Sequence, residues 1–307
     1  MTGHLLTQGC PVCFGVQMCK RIKLIANPIS GGDSRPRIDT AVCFLTEAGA
    51  HVDLFLTGKR GDARDMALKL NPVDYDLVIA AGGDGTLNEV ANGLLGRGLS
   101  LAFLPLGTAN VMALEMGIPL SIEGACRVAL DGEKRPIALA SVGDDVFLMM
   151  AGIGYDAAAV RAVSGRLKRI TGKFAYLVAG LSSFICYRPL AMTLCSADGD
   201  RRTVWHAIVS NIRLYGGRYV MAPGAGLTKP TLTACIVDRS GRLPLALFWL
   251  RIFLGGRIFG SVQRIESTSF NLDGGDAPVQ IDGDDFGHLP LTINCRTDQL
   301  TMMFPTQ

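Results

Sequence analysis

The residues Leu77-Val78-Ile79-Ala80-Ala81 are wholly apolar, and they run straight into Gly82-Gly83-Asp84-Gly85-Thr86. A short apolar run closed by glycines reads as a strand buried on both faces, the kind found inside a parallel sheet. Beyond the glycines, Leu87, Val90, Ala91 and Leu94 recur at three- and four-residue intervals, so the chain turns sharply into a helix with one buried face. A strand, tight turn and helix in that order confine this part of the chain to an α/β layer. The same alternation surrounds it. Strands are predicted at 23–26, 52–56, 77–81 and 101–104, and between them Ile38, Val42 and Leu45, then Ala63, Ala67 and Leu70, recur at helical spacing. Residues 23–136 are expected to form a parallel α/β domain.

The pattern changes after Arg135. Short runs at 137–141 and 146–151 are split by Gly143-Asp144-Asp145, a hairpin-type turn, and further strands are predicted at 204–210, 232–237, 265–271, 278–281 and 289–295. Residues 137–296 therefore read as a mostly β domain, a sandwich or barrel. Two markedly apolar helical insertions interrupt it, at 174–187 and 243–259, each short of the roughly 20 residues that span a bilayer. A length of 307 residues suits two such domains. Residues 1–22 read as an extension without a secretory signal, and His4, Cys10, Cys13 and Cys19 fit no common zinc-finger spacing. Nine cysteines, an odd number scattered through apolar stretches, point to a reducing, cytoplasmic setting. The net charge of +3 is mild and no aromatics alternate with the basic residues, which argues against nucleic acid as a partner.

Asp84 lies in a loop whose glycines let backbone N–H groups approach a ligand, and the helix that follows turns its positive end toward an anion. The loop is neither G-x-x-x-x-G-K-[ST] nor G-x-G-x-x-G, so it belongs to neither common nucleotide fold. Three other loops leave strand ends on the same expected edge: Asn27-Pro28-Ile29-Ser30-Gly31-Gly32, Thr57 with Gly61-Asp62-Ala63, and Pro105-Leu106-Gly107-Thr108-Ala109-Asn110. One glycine-rich turn is as often structural as functional; four together describe a polyphosphate cleft. Asp282-Gly283-Asp284 lies far along the chain. If that segment is extended, both carboxylates emerge on one face, although an isolated D-G-D reads more simply as an acidic turn between strands.

Taken together, these motifs resemble the diacylglycerol kinase catalytic family, which also holds sphingosine kinases, ceramide kinases and bacterial soluble lipid kinases. The resemblance covers nearly everything after Lys23, including Gly152-Ile153-Gly154-Tyr155-Asp156-Ala157. It implies an N-terminal parallel α/β nucleotide-binding domain and a C-terminal β-sandwich domain with a cleft between them, the tail at about 297–307 returning to the first. It also implies that ATP contacts Asn27, Ser30, Gly31 and Thr57, the loop residues Gly82, Gly83, Asp84, Gly85 and Thr86, then Asn88 and Glu89, and finally Gly107, Thr108 and Asn110. Asp84 would lie near the phosphates or their Mg²⁺. The family's D-G-E segment supplies a general base, so Asp282 or Asp284 would take the proton of the acceptor hydroxyl, giving Asp84, Asp282 and Asp284 as the catalytic carboxylates.

The chain departs from the family at three acidic positions. Asp284 replaces the common Glu, shortening the reach by roughly 1.3–1.5 Å. Val111 follows Gly-Thr-Ala-Asn where many members place Asp, and Lys229-Pro230-Thr231 replaces the Asp-Gly pair of a structural Mg²⁺ site, so that accessory metal is expected to be absent. The reading that results is a Mg²⁺-dependent kinase transferring the γ-phosphoryl of ATP to diacylglycerol or a sphingolipid. Its rivals are NAD kinase, which shares the G-G-D-G-T loop, and a lipid-binding pseudokinase. Basic residues at Arg161, Arg166, Lys168, Arg169 and Lys173 suggest a docking patch, with Arg166, Lys168 and Arg169 as the membrane contacts. The partners expected are a lipid presented at a membrane surface, placing the protein peripherally on it, with a homodimer left open.

Overall fold

The structure, a computed structural model, describes residues 19–162, 184, 187–254 and 262–306. His4, Cys10 and Cys13, the docking residues Arg166, Lys168, Arg169 and Lys173, most of the 174–187 insertion and residues 255–259 lie outside them.

The first half alternates strand and helix: β1 (Arg21–Ala26), α1 (Arg35–Glu47), β2 (His51–Leu56), α2 (Asp62–Leu68), β3 (Leu77–Gly82), α3 (Asp84–Leu94), β4 (Ser100–Pro105), α4 (Val111–Met116) and α5 (Ile122–Asp131). β3 and β4 are buried at every position, as strands covered on both faces must be, whereas the edge strand β2 is not. The predicted stripe of Leu87, Val90, Ala91 and Leu94 faces the core from α3. The strand order is β2-β1-β3-β4, all parallel, so every carboxyl end meets one edge, and β1 and β3 flank the point where successive connections run to opposite sides. Ligands of open α/β sheets bind outside that point.

The second half follows with β5 (Glu133–Val142), β6 (Asp145–Phe147), β7 (Met150–Ile153), α6 (Tyr155–Ala162), β8 (Met192–Ser196), β9 (Arg201–Val204), β10 (His206–Ser210), β11 (Leu214–Tyr215), β12 (Tyr219–Val220) and β13 (Leu232–Val237). It ends with α7 (Arg242–Leu254), β14 (Gln263–Ser267), β15 (Ser269–Asp273), β16 (Pro278–Ile281), β17 (Asp284–His288) and β18 (Leu291–Phe304). β5 and β6 form the expected hairpin, Val142 opposite Asp145, with Gly143 at φ 58° in the left-handed conformation its turn requires. The strand predicted at 265–271 is two strands in different sheets. β14 pairs with β13, and after Thr268 the chain crosses to pair β15 with β18 and β8.

β18 joins the halves. Its first residues run antiparallel to β15, its last run parallel to β4 with Thr301 beside Ser100, and β5 lies along both. The parallel sheet is thereby continuous with one sheet of the sandwich, ten strands among the described residues, and β14-β13-β10-β7-β16-β17 forms the other. Phe147, Ile153, Leu194, Val209, Phe270 and Val279 fill the space between the two.

Candidate functional site

Three of the four predicted loops interlock at the carboxyl edge. The Asn27 N–H donates to the Ala81 carbonyl at 2.8 Å, and the N–H groups of Leu106 and Gly107 donate to the Gly82 carbonyl at 2.7 and 3.1 Å. Glycine is needed at these crossings. A Cβ on Gly107 would lie 2.6 Å from the Gly83 Cα, and one on Gly31, which sits at φ 67°, would lie 2.5 Å from the Leu106 carbonyl oxygen. The Arg37 guanidinium clamps the junction, donating to the carbonyls of Ser30 (3.1 Å) and Leu106 (3.0 Å) and to the Ser34 hydroxyl (2.7 Å). The fourth loop closes the row: Thr57 N–H donates to Ala26, and Asp62 accepts from the N–H groups of Gly58 and Lys59.

Some predicted contacts face the cleft and some support it. Gly85 and Thr108 are exposed, Ser30, Thr57, Gly83 and Asn88 are half-buried, and Gly82 is buried. Thr86 turns inward, its hydroxyl 3.5 Å from the Asn27 amide that donates to it. Glu89 accepts from the Gly61 N–H at 3.0 Å and so anchors the start of α2 rather than the cleft. Asn110, in the left-handed conformation, donates to the Gly107 carbonyl, while its buried Oδ1 has no partner. Asp84 accepts from the N–H groups of Val111 (3.1 Å) and Met112 (3.0 Å), capping the first turn of α4. Burial holds its carboxyl above the ordinary range against those two donors. The Val111 N–H is thus a backbone donor that ties two loops together.

The D-G-D segment is not extended. Asp282 and Gly283 lie at φ 49° and 86°, and Ile281 pairs with Asp284, so they form the two-residue turn of the β16–β17 hairpin. The two carboxylates consequently do not share a face. Asp282 points inward and accepts from Leu148 (3.0 Å), Met149 (3.0 Å) and Met150 (2.9 Å) N–H groups. Burial pushes it up to about 6, the three donors oppose the shift, and the charge of nearby Asp84 adds to it. Asp284 points outward, its side chain 55% exposed, and meets Arg60 of the β2–α2 loop at 2.8 Å. This ion pair places the D-G-D turn opposite the loops at the carboxyl edge of the parallel sheet. Arg64 to Asp145 (2.8 Å), Arg213 to Glu115 (2.9 Å) and Asn92 to the Val146 backbone (2.8 and 2.9 Å) join the halves along the same boundary.

Sequence reasoning missed Arg37, Arg60 and Asn92. Arg37 left a signal: a cation in the first turn of a helix opposes the helix dipole, so it must have another use. Of the basic run, Arg161 is committed to Asp285 (2.7 Å) and the Gly287 carbonyl (2.8 Å) on β17. The apolar residues of α7 divide between Leu245, Phe248, Trp249 and Ile252, which are buried, and Leu243, Leu250, Phe253 and Leu254, which are exposed. Among the described residues no helix is long and apolar enough to cross a membrane.

The sequence pattern of the diacylglycerol kinase catalytic domain matches residues 21–142, and that of the YegS C-terminal NAD kinase beta sandwich-like domain matches residues 149–304. A relative from Pseudomonas aeruginosa named as a YegS-like lipid kinase is 34% identical over 266 residues, covering 83% of this chain and 87% of its own. A diacylglycerol kinase of Staphylococcus epidermidis is 28% identical, with 89% and 88% covered. A diacylglycerol kinase structure from Bacillus anthracis shares the fold with a TM-score of 0.76 at 24% identity, over 93% of this chain and 97% of that one. An NAD kinase from Archaeoglobus fulgidus is a more distant likeness, at 0.50 and 15%. The chain belongs to the diacylglycerol kinase catalytic-domain family of lipid kinases.

Proposed function

We propose that the protein transfers the γ-phosphoryl group of ATP to a hydroxyl of diacylglycerol or of a sphingolipid such as sphingosine or ceramide. The observation that carries this reading is the Arg60–Asp284 contact, which sets an outward carboxylate beside the loop that follows β2, in the row of loops at the carboxyl edge of the sheet. The triphosphate lies against the N–H groups that open α3, where the helix dipole favours negative charge. Asp284 takes the proton from the acceptor hydroxyl. Asp282 is less suited to that role because its carboxylate points inward and three backbone N–H groups hold it there.

Among the described residues no three acidic, histidine or cysteine groups gather as a metal cage. A nucleotide-borne Mg²⁺ needs only one or two carboxylates besides phosphate and water, and Asp84, with lone pairs left over from Val111 and Met112, fits that requirement. The ion would supply charge neutralisation on the transferring phosphoryl. Labelled ATP offered with diacylglycerol, sphingosine, ceramide and NAD tests the reading: label is expected on a lipid, and label on NAD alone would overturn it.

The lipid is met at a bilayer surface through the outer face of α7. Phe253 packs on Tyr219 at 4.9 Å between ring centroids, extending the exposed apolar patch to β12, and the Arg166, Lys168 and Arg169 run would add attraction to anionic headgroups. Phe253→Asp with Leu254→Asp is expected to weaken sedimentation with phosphatidylcholine–phosphatidylserine vesicles by about tenfold or more. Undiminished sedimentation of that variant would remove α7 from the membrane contact.

A further inference from the structure

The motif Gly152-Ile153-Gly154-Tyr155-Asp156-Ala157 lies outside the four loops at the carboxyl edge of the parallel sheet, and it places a carboxylate, Asp156, where only 5% of the residue is exposed. Asp156 lies in the first turn of α6. One of its oxygens accepts from the Tyr215 hydroxyl, and the other accepts from the Gln280 Nε2 at 2.6 Å. Room for it comes from Gly152, where a Cβ would lie 1.9 Å from the Asp156 Oδ2 and 2.6 Å from the Gln280 Nε2. Gln280 sits directly across from Gly152 in the β16–β7 ladder, so the three groups are locked in register.

The consequence lies at the far end of Gln280. A carboxylate only accepts hydrogen bonds, so Asp156 obliges the amide to present its NH₂ inward. That leaves the Gln280 Oε1 to accept from the Gly283 N–H at 2.7 Å. Gly283 is the second residue of the two-residue turn, and Asp284 follows it. Asp282 pins the other side of the turn to the backbone at Leu148–Met150. A buried carboxylate is costly unless fully bonded, and here its bonding terminates one residue from the outward carboxylate.

We propose that Asp156 is a positioning residue: acting through Gln280 and the Gly283 N–H, it fixes the turn from which Asp284 reaches the acceptor hydroxyl. This rests on Asp284 being the proton acceptor. A displacement near 1 Å of a reacting group lowers rate about 100-fold without touching substrate affinity. Asp156→Leu and Gln280→Met are therefore each expected to lower kcat about 100-fold while the KM for ATP stays unchanged. The double variant should lose no more than the worse single one, because both cut the same line. Asp156→Asn, which can accept from Gln280 with its oxygen while its NH₂ donates to the Tyr215 hydroxyl, should recover most of the loss.

The experiment is steady-state lipid phosphorylation by the full chain for these four variants alongside Asp284→Asn, with ATP binding verifying that each is folded. If Asp156→Leu does not fold, Gln280→Met carries the test alone, since it leaves Asp156 bonded to Tyr215. Asp284→Asn that keeps its turnover overturns the proton-acceptor reading and this inference with it. An inactive Asp284→Asn beside a Gln280→Met or Asp156→Leu of wild-type kcat overturns the positioning role alone. Additive losses in the double variant do so as well.

Discussion

Asp284→Asn is expected to lower kcat by about 10²- to 10⁴-fold, with the KM for ATP left within about threefold of the wild-type value. Asparagine keeps the size of the side chain and removes its capacity to take a proton, so the variant isolates that one step. Asp284 pairs with Arg60, which sits on an exposed loop with 78% of its own side chain in solvent. Exposed pairs of this kind contribute little to stability, so neither Asp284→Asn nor Arg60→Ala should move Tm appreciably. Asp284→Glu lengthens the reach by roughly 1.3 Å and should retain turnover, since it keeps a carboxylate on the same exposed turn. Initial-rate measurements over a range of ATP and lipid concentrations separate these outcomes. A folded Asp284→Asn with wild-type kcat would move the proton transfer to another group.

The loop row at the carboxyl edge is legible in the sequence because its determinants are local. A continuous apolar strand followed by glycine fixes where β3 ends, and parallel order then forces the loops after β1, β2 and β4 to the same edge. The inward turn of Thr86 and Glu89 is not legible from the motif alone. It depends on what packs against α3, namely Asn27 and the Gly61 backbone, which arrive from other loops. The D-G-D segment carried a readable signal in its Asp-Gly dipeptide flanked by strands, the commonest mark of a tight hairpin turn. The left-handed backbone at Asp282 and Gly283 follows from that turn and sends successive carboxylates to opposite environments. The Tyr215, Asp156, Gln280 and Gly283 chain could not be read, because residues separated by up to 124 positions meet only through sheet register.

Asp282→Ala is expected to destabilise the protein by about 3–5 kcal/mol, since it leaves three buried N–H groups without an acceptor, each worth about 1–3 kcal/mol. Asp282→Asn should be milder. Its oxygen can keep Met149 and Met150, which now share Oδ1, but its NH₂ then faces the Leu148 N–H, donor against donor. Asparagine tolerates the left-handed backbone well, so strain does not confuse the comparison. The pH dependence has a definite sign. The folded carboxyl titrates at about 6 and an unfolded one near 3.9, so between those values the native state holds the extra proton. The contribution is fully present below about pH 4 and is lost as pH rises through 6, a decline on the order of 2–3 kcal/mol. Carboxylates held low by their partners, such as Asp53 and Asp76, act in the opposite direction and mask this in the raw curve. The difference between wild type and Asp282→Asn cancels them. Urea unfolding of both proteins from pH 4 to 8, without divalent ions, should show the stability gap between them narrowing through pH 6, and a gap independent of pH would mean that Asp282 does not titrate there.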